Sequence, residues 1–495
     1  MTTPASSSVR TLAVQSAAWY GATRLWGQLV SWGVTILLAR MLVPHDYGLF
    51  AIALSILALL ELLQEFGLGT ALIQRQTLSR QQVNAVFWVV ASASLLLTAS
   101  TFVASGTISR MYGEPSLAWP LRLLCLTFLL NSVGTVPYSL LTKAINLRQR
   151  SLAEALGATT AALVALALAY LGYGVGALVI GHLCRAVVLN LLLFAFARWA
   201  PGLDVDFTQM RDLLTYGMRI AGTHLVSTGN VAAITFIVAR LLGGTAVGLY
   251  AMAQSLTDAP NRLSTAIINQ VSLPVFSKLQ HDQALLGAYF LKISKYLAVI
   301  ALPLQIGLAL VAPALIPLLL SATWQALTLP FQVFCLGSVV VLCTLTCSPL
   351  LMARDRANFL FNLSLVAFVS VTGGTLLGAH FGLVAVILAR FIAIVPLRVI
   401  MLLATLRELE LSPALYARSL AAPCGAVGAM IAAVELVQVA GLPNGSRLEG
   451  LAVSIAVGAV TYTMALFLLD RTIGSELRTG LRDLFSASKA QEGVF

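Results

Sequence analysis

The sequence predicts an all-α integral membrane protein of fourteen transmembrane helices: two six-helix halves related by a parallel internal repeat, then two further helices. Three observations carry this. Charged residues make up 10% of the chain and hydrophobic residues 59%, against about 25% charged in soluble domains. Apolar runs recur at roughly twenty residues, the length of a spanning helix rather than a barrel strand. A stretch near the N-terminus also returns, without a gap, two hundred residues later.

The repeated stretch is 23–50. Thr23, Leu25, Thr35, Ala39, Arg40, Leu42, Gly48 and Leu49 recur as Thr223, Leu225, Thr235, Ala239, Arg240, Leu242, Gly248 and Leu249. Arg24 falls opposite His224, and Ala51, Ala53 and Ser55 continue the match onto Ala251, Ala253 and Ser255. A second match joins 171–185 to 377–390, setting Arg185 against Arg390. A helix–turn–helix unit copied at this distance indicates two related halves, a plan common in transporters with the substrate site between them.

In chain order the predicted spans are 15–41, 47–73, 82–109, 117–142, 150–172, 174–198, 213–241, 246–272, 289–312, 326–351, 357–379, 381–405, 414–440 and 449–470. The first half is 1–198, a cytoplasmic linker 199–212, the second half 213–406, and the last two spans and tail 407–495. Phe207, Met210, Leu213 and Leu214 stand at helical spacing, so the segment from 199 to 219 is expected to carry an amphipathic surface helix. The first apolar run is too long for a signal-peptide core and is read as an uncleaved span.

The net charge of +11 invites a nucleic-acid partner. Its distribution argues instead for topology control. Arg75, Arg80, Lys143, Arg148, Arg150, Arg198, Arg211, Lys278, Arg354, Arg356 and Arg407 lie in one set of loops, and Arg471, Arg478, Arg482 and Lys489 in the tail. The alternate loops hold Arg40, Arg110, Arg240 and Arg447. The positive-inside rule therefore puts both termini in the cytoplasm, as an even number of spans requires. The six cysteines all lie in apolar runs with no ligand partner nearby, and read as buried small residues.

A charge at bilayer depth costs about 2.5–3.5 kcal/mol on insertion scales, so an intramembrane charge usually faces a cavity or a partner. Arg24, Arg185 and Arg390 lack an acidic neighbour on their own helix and are expected to face a cavity; His224 joins them by its repeat relation to Arg24. Arg262 stands one turn from Asp258, and the two either neutralise each other or serve a substrate. Glu61 and Glu65, one turn apart in span two, are candidates for charge balance against an arginine such as Arg24, or for coupling. Arg398 is read as snorkelling to headgroups and Glu435 as structural. A cavity lined by converging arginines suits an anionic substrate, because guanidinium groups grip phosphate or carboxylate oxygens in pairs. There is no Walker loop, no clustered catalytic triad and no long acid-bearing loop, so no enzymatic role and no cofactor are expected; a coupling ion, H+ or Na+, is left open.

The segment 37–56 (LLARMLVPHDYGLFAIALSI), the run Glu65-Phe66-Gly67-Leu68-Gly69 with its Gln-Arg-Gln exit, and the stretches 136–154, 238–256 and 268–282 resemble bacterial polysaccharide exporters of the Wzx type. That family shares the MOP superfamily with the lipid II flippase and the MATE antiporters. The resemblance implies two six-helix lobes around a cationic cavity. It also implies transport of an undecaprenyl-diphosphate-linked oligosaccharide from the cytoplasmic to the periplasmic leaflet of the bacterial inner membrane. Arg24 and Arg262 match the family's cavity arginines by position, whereas span two offers acids where an arginine is expected. The last two spans of the lipid II flippase form a lipid groove, and the resemblance implies the same place for spans thirteen and fourteen here. Polysaccharide polymerase and glycosyltransferases are the expected partners. The competing reading is a MATE-like cation-coupled efflux antiporter, with Asp258 as its ion-binding acid.

Overall fold

The computed structural model describes residues 26–28, 30, 32–75, 79–144, 146–208, 210–279, 282–440 and 447–470. Arg24 lies outside them. The described residues are helical nearly throughout. A first helix, α1, covers 32–41. It is followed by α2 (Pro44–Glu65), α3 (Leu68–Gln74), α4 (Arg80–Tyr112), α5 (Ala118–Leu124), α6 (Leu126–Lys143), α7 (Leu147–Tyr170), α8 (Val175–Ala197) and α9 (Met210–Leu242). Then come α10 (Gly244–Lys278), α11 (Gln283–Leu319), α12 (Thr328–Cys343), α13 (Cys347–Ala353), α14 (Ala357–Ala379), α15 (Leu383–Glu408), α16 (Pro413–Val439) and α17 (Arg447–Leu469).

Among the described residues, twelve helices or broken helices are long and apolar enough to cross a membrane. The two predicted spans outside that set are 15–41, described only in part, and 246–272 within α10. The second is a continuous helix, but Gln254, Thr257, Asp258, Asn261 and Arg262 interrupt its apolar run. Large apolar side chains face outward in the spans: Val103 is 81% exposed, Leu468 73% and Ile392 71%. In water such exposure would be costly; against lipid it is neutral.

Local chemistry explains the ends and breaks. Ser79 accepts from the Gln82 backbone N–H and Gln82 reaches back to Ser79, a capping box that starts α4. Gly113 closes α4 in the left-handed conformation, φ 74°. The Glu65–Gly69 motif is the break between α2 and α3: Phe66 and Gly67 both adopt left-handed backbone, φ 44° and 68°. Predicted spans four and ten are each broken in the same manner, by a 3-10 turn and then a discontinuity after Leu124 and Cys343. Gly181 packs against α7 so closely that a Cβ there would sit 2.9 Å from Ala165 Cβ, the small-residue contact by which membrane helices approach.

The linker is not the amphipathic surface helix expected. Residues 199–208 are non-helical and clasp the first turns of α4. Gln81 donates to Asp204 (2.6 Å), Gln82 to Asp206 (3.2 Å), Asn84 to the Asp204 carbonyl (3.0 Å) and Trp88 to the Gly202 carbonyl (3.0 Å). Side chains on α4 offered the backbone better partners than a helix of its own. The apolar residues at helical spacing serve α9 instead: Met210 and Leu213 are buried in a cluster with Leu68, Leu72 and Val86.

The chain falls into two compact units. The first comprises 1–252, 319–326 and 364–390; the second comprises 253–318, 327–363 and 391–495. In the first, α9 packs along α2, and the 319–326 turn is pinned to α1: Trp324 donates to the Ala39 carbonyl (2.7 Å) and Arg40 to the Leu319 carbonyl (2.8 Å). In the second, α11 packs on α16 and α17 through Ala298, Leu302, Val427, Met430 and Leu466. Lys295 pairs there with Asp470.

Candidate functional site

Five of the predicted residues sit as follows. Arg185 is exposed on α8, His224 on α9 and Arg262 on α10. Asp258 is half-buried on α10. Arg390 is half-buried on α15 and donates to the Tyr250 hydroxyl of α10. The repeat gives the last contact a counterpart. Phe50 stands where Tyr250 does, and its ring meets His182, one turn before Arg185, edge-on at 5.9 Å. Spans two and eight thus each present an aromatic ring to a basic residue, on α8 and α15.

Glu61 and Glu65 line a cavity of about 580 Å³ in the first unit, between α2, α3, α6, α8 and α9. Neither carboxylate pairs with a basic side chain among the described residues. Asn131 of α6 donates to Glu61 (3.4 Å), and Asn190 of α8 donates to the Asn131 side-chain Oδ1 (3.2 Å) and to the Ala186 carbonyl (2.8 Å). Thr135 donates to Glu65 (3.5 Å). Gln64, 1% exposed, turns away and donates to the Phe128 carbonyl, bonding a backbone group early in α6 (2.9 Å). Glu61 and Glu65 were legible as charges in an apolar run. Asn131, Thr135 and Asn190 were missed, because uncharged amides and hydroxyls barely lower the hydropathy of a span. Among the described residues lining this cavity there is no lysine, arginine or histidine.

Two glycine crossings flank the cavity along α2. At the start of α2, a Cβ on Gly48 would lie 1.8 Å from the Gly244 carbonyl oxygen, and one on Gly248 would lie 1.8 Å from the Pro44 carbonyl oxygen. The contact is reciprocal because Pro44 and Gly244, like Gly48 and Gly248, are repeat-related; it is self-complementary in the way of a two-fold interface. Beside it the Glu114 carboxylate accepts from the Gly244 backbone N–H, at the positive end of α10, and lies 3.3 Å from His45 Nε2. At the other end of α2, a Cβ on Gly67 would meet the Gly217 carbonyl oxygen at 2.4 Å, and one on Gly217 would meet that of Phe66 at 2.0 Å.

The second unit holds a groove of about 500 Å³ lined by α11, α16 and α17, including Leu304, Leu308, Val311, Met430 and Ile455. Its three hydroxyls are already spent on backbone carbonyls: Ser454 on Gly450 (2.8 Å), Tyr462 on Val299 (2.7 Å) and Thr463 on Ala459 (2.7 Å). The groove therefore has little to offer a polar ligand.

Residues 37–329 match the family described as polysaccharide biosynthesis protein. The chain belongs to that family. Relatives in the family include the succinoglycan biosynthesis transport protein ExoT of Rhizobium meliloti, 26% identical over 69% of each chain. The lipopolysaccharide biosynthesis protein WzxC of Escherichia coli is 25% identical over 69% of this chain and 71% of its own. Among solved structures, the lipid II flippase MurJ in an inward closed conformation superposes with a TM-score of 0.76 at 14% identity, covering 92% of this chain and 99% of that one. An inward-facing MATE multidrug transporter of the MOP superfamily gives 0.62 at 15% identity, over 78% and 94%. The family member thus has the MOP fold, and the Wzx-type resemblance carried by residues 65–69 and 136–154 holds.

Proposed function

We propose that this multi-pass bacterial membrane protein is a transporter, not an enzyme, and that it moves an undecaprenyl-diphosphate-linked oligosaccharide from the cytoplasmic to the periplasmic leaflet. The observation that carries the reading is chemical. One chain combines a cavity rich in hydrogen-bonding groups with a groove whose hydroxyls are all internally satisfied, matching the two ends of an amphiphile. The saccharide enters the polar space, and the polyprenyl chain lies on the α11–α16–α17 groove. Arg24, Arg185, Arg262 and Arg390, with His224, are the groups offered to the diphosphate. Both termini are cytoplasmic, glycosyltransferases supply the lipid-linked unit, and a polymerase receives it. Alternating access rocks the halves 1–198 and 213–406 against each other.

A strain lacking the protein is expected to accumulate lipid-linked repeat units that a membrane-impermeant glycosidase cannot reach in intact spheroplasts. Normal surface polysaccharide in that strain overturns the reading.

The acids favour a second reading on one point. Glu61 and Glu65, rather than Asp258, are the carboxylates in the cavity of the first unit, as a MATE-like antiporter coupled to H+ or Na+ would use them. Drug accumulation discriminates: deletion raises intracellular dye in an efflux pump and leaves it unchanged in a flippase.

A further inference from the structure

We propose that the cavity of the first unit is a saccharide subsite selective for sugars that carry no carboxylate. The inference rests on the flippase reading and names the class of headgroup. The lining includes the Glu61 and Glu65 carboxylates of α2, the Asn131 and Asn190 carboxamides of α6 and α8, and, among its hydroxyls, those of Thr135 and Tyr138. Among the described residues each carboxylate accepts one long hydrogen bond, 3.4 Å from Asn131 and 3.5 Å from Thr135, which leaves most of its acceptor sites open to a ligand. A carboxylate with free lone pairs takes the two hydroxyls of a vicinal diol, and these charge-assisted bonds are stronger than neutral ones. The Asn190–Asn131 relay fixes which face of the Asn131 amide meets Glu61. Gly134 keeps the floor open, since a Cβ there would fall 1.7 Å from Asn190 Oδ1.

The same acids reject an acidic sugar. A uronate in this space would set a third carboxylate beside Glu61 and Glu65, with no described cation in the lining to balance it. Like-charge juxtaposition of that kind is a strong source of discrimination. Hydroxyl-rich hexoses, N-acetylated sugars and amino sugars meet no such penalty.

The test uses the full-length protein in lipid nanodiscs and three lipids. These are polyprenyl diphosphate alone, the same lipid carrying a neutral hexose–N-acetylhexosamine disaccharide, and one in which a hexuronate replaces the hexose. The wild-type protein is expected to bind the neutral conjugate about tenfold tighter than the uronate conjugate, and tighter than the bare lipid. Glu61→Gln/Glu65→Gln is expected to gain affinity for the uronate conjugate until the two differ by less than about threefold. A gain of binding requires a folded protein, and the wild-type comparison needs no variant. Equal wild-type affinity for the two conjugates overturns the subsite, as does an unchanged gap in the double variant. Binding of the bare lipid as tightly as the neutral conjugate overturns the subsite while the flippase reading stands. Failure to bind any of the three overturns both.

Discussion

Any side chain at position 134 larger than hydrogen collides with Asn190, since the added Cβ would lie 1.7 Å from its Oδ1. Gly134→Ala is therefore expected to destabilise the protein by about 1–3 kcal/mol, the range for overpacking. Asn190→Ala removes the obstacle, so the double variant should melt above the sum of the single losses when thermal unfolding is followed in detergent. The asymmetry in what the sequence displayed is clearest at this scale. Glu61 and Glu65 stood out because a charge in an apolar span is rare and costly. Gly134, Asn131 and Asn190 did not, because their importance is a matter of distance between helices α6 and α8, and nothing in a single span announces it. Asn131 and Thr135 are the described partners of the two acids, and the expected pairing with Arg24 lies outside the described residues.

Among the elements, the crossings along α2 make the sharpest predictions. Gly48→Val or Gly248→Val inserts a branched side chain where even one carbon would lie 1.8 Å from a carbonyl oxygen. Either is expected to abolish transport, read as loss of surface polysaccharide, while Gly106→Val, at a position with open space, leaves it intact. The repeat had paired Gly48 with Gly248 on the page of the sequence; that paired residues would touch each other followed only from the fold. The linker clasp predicts a pH response. Asp206 accepts from the Thr208 backbone N–H (2.9 Å) and from Gln82, which hold its carboxyl below the usual carboxylate range. A depressed carboxyl contributes stability that is present above the unfolded value and lost as pH falls through the folded one. Hydrogen exchange at 204–208 should therefore be slow at neutral pH, rise in the acid range below the ordinary aspartate value, and be fast at neutral pH in Asp206→Asn. Helical spacing of Phe207, Met210, Leu213 and Leu214 misled here, because the last three belong to α9 and the clasp rests on side chains more than a hundred positions away.

For the whole molecule, helix content, span lengths and the repeat were legible because bilayer thickness and backbone satisfaction leave few alternatives. The compact units do not follow the repeat boundary: α9, which opens the second copy, packs along α2 of the first. A transport cycle that alternates access must break such contacts in turn. The central claim is leaflet-to-leaflet movement of a lipid-linked saccharide, and its most direct measurement is in proteoliposomes. The purified chain is reconstituted with a fluorescent polyprenyl-diphosphate disaccharide placed on one leaflet, and its arrival on the other is timed by access to an added glycosidase. Translocation well above that of protein-free vesicles, lost in Arg24→Ala, is the predicted result; a rate equal to that of protein-free vesicles, with the protein folded and inserted, contradicts it.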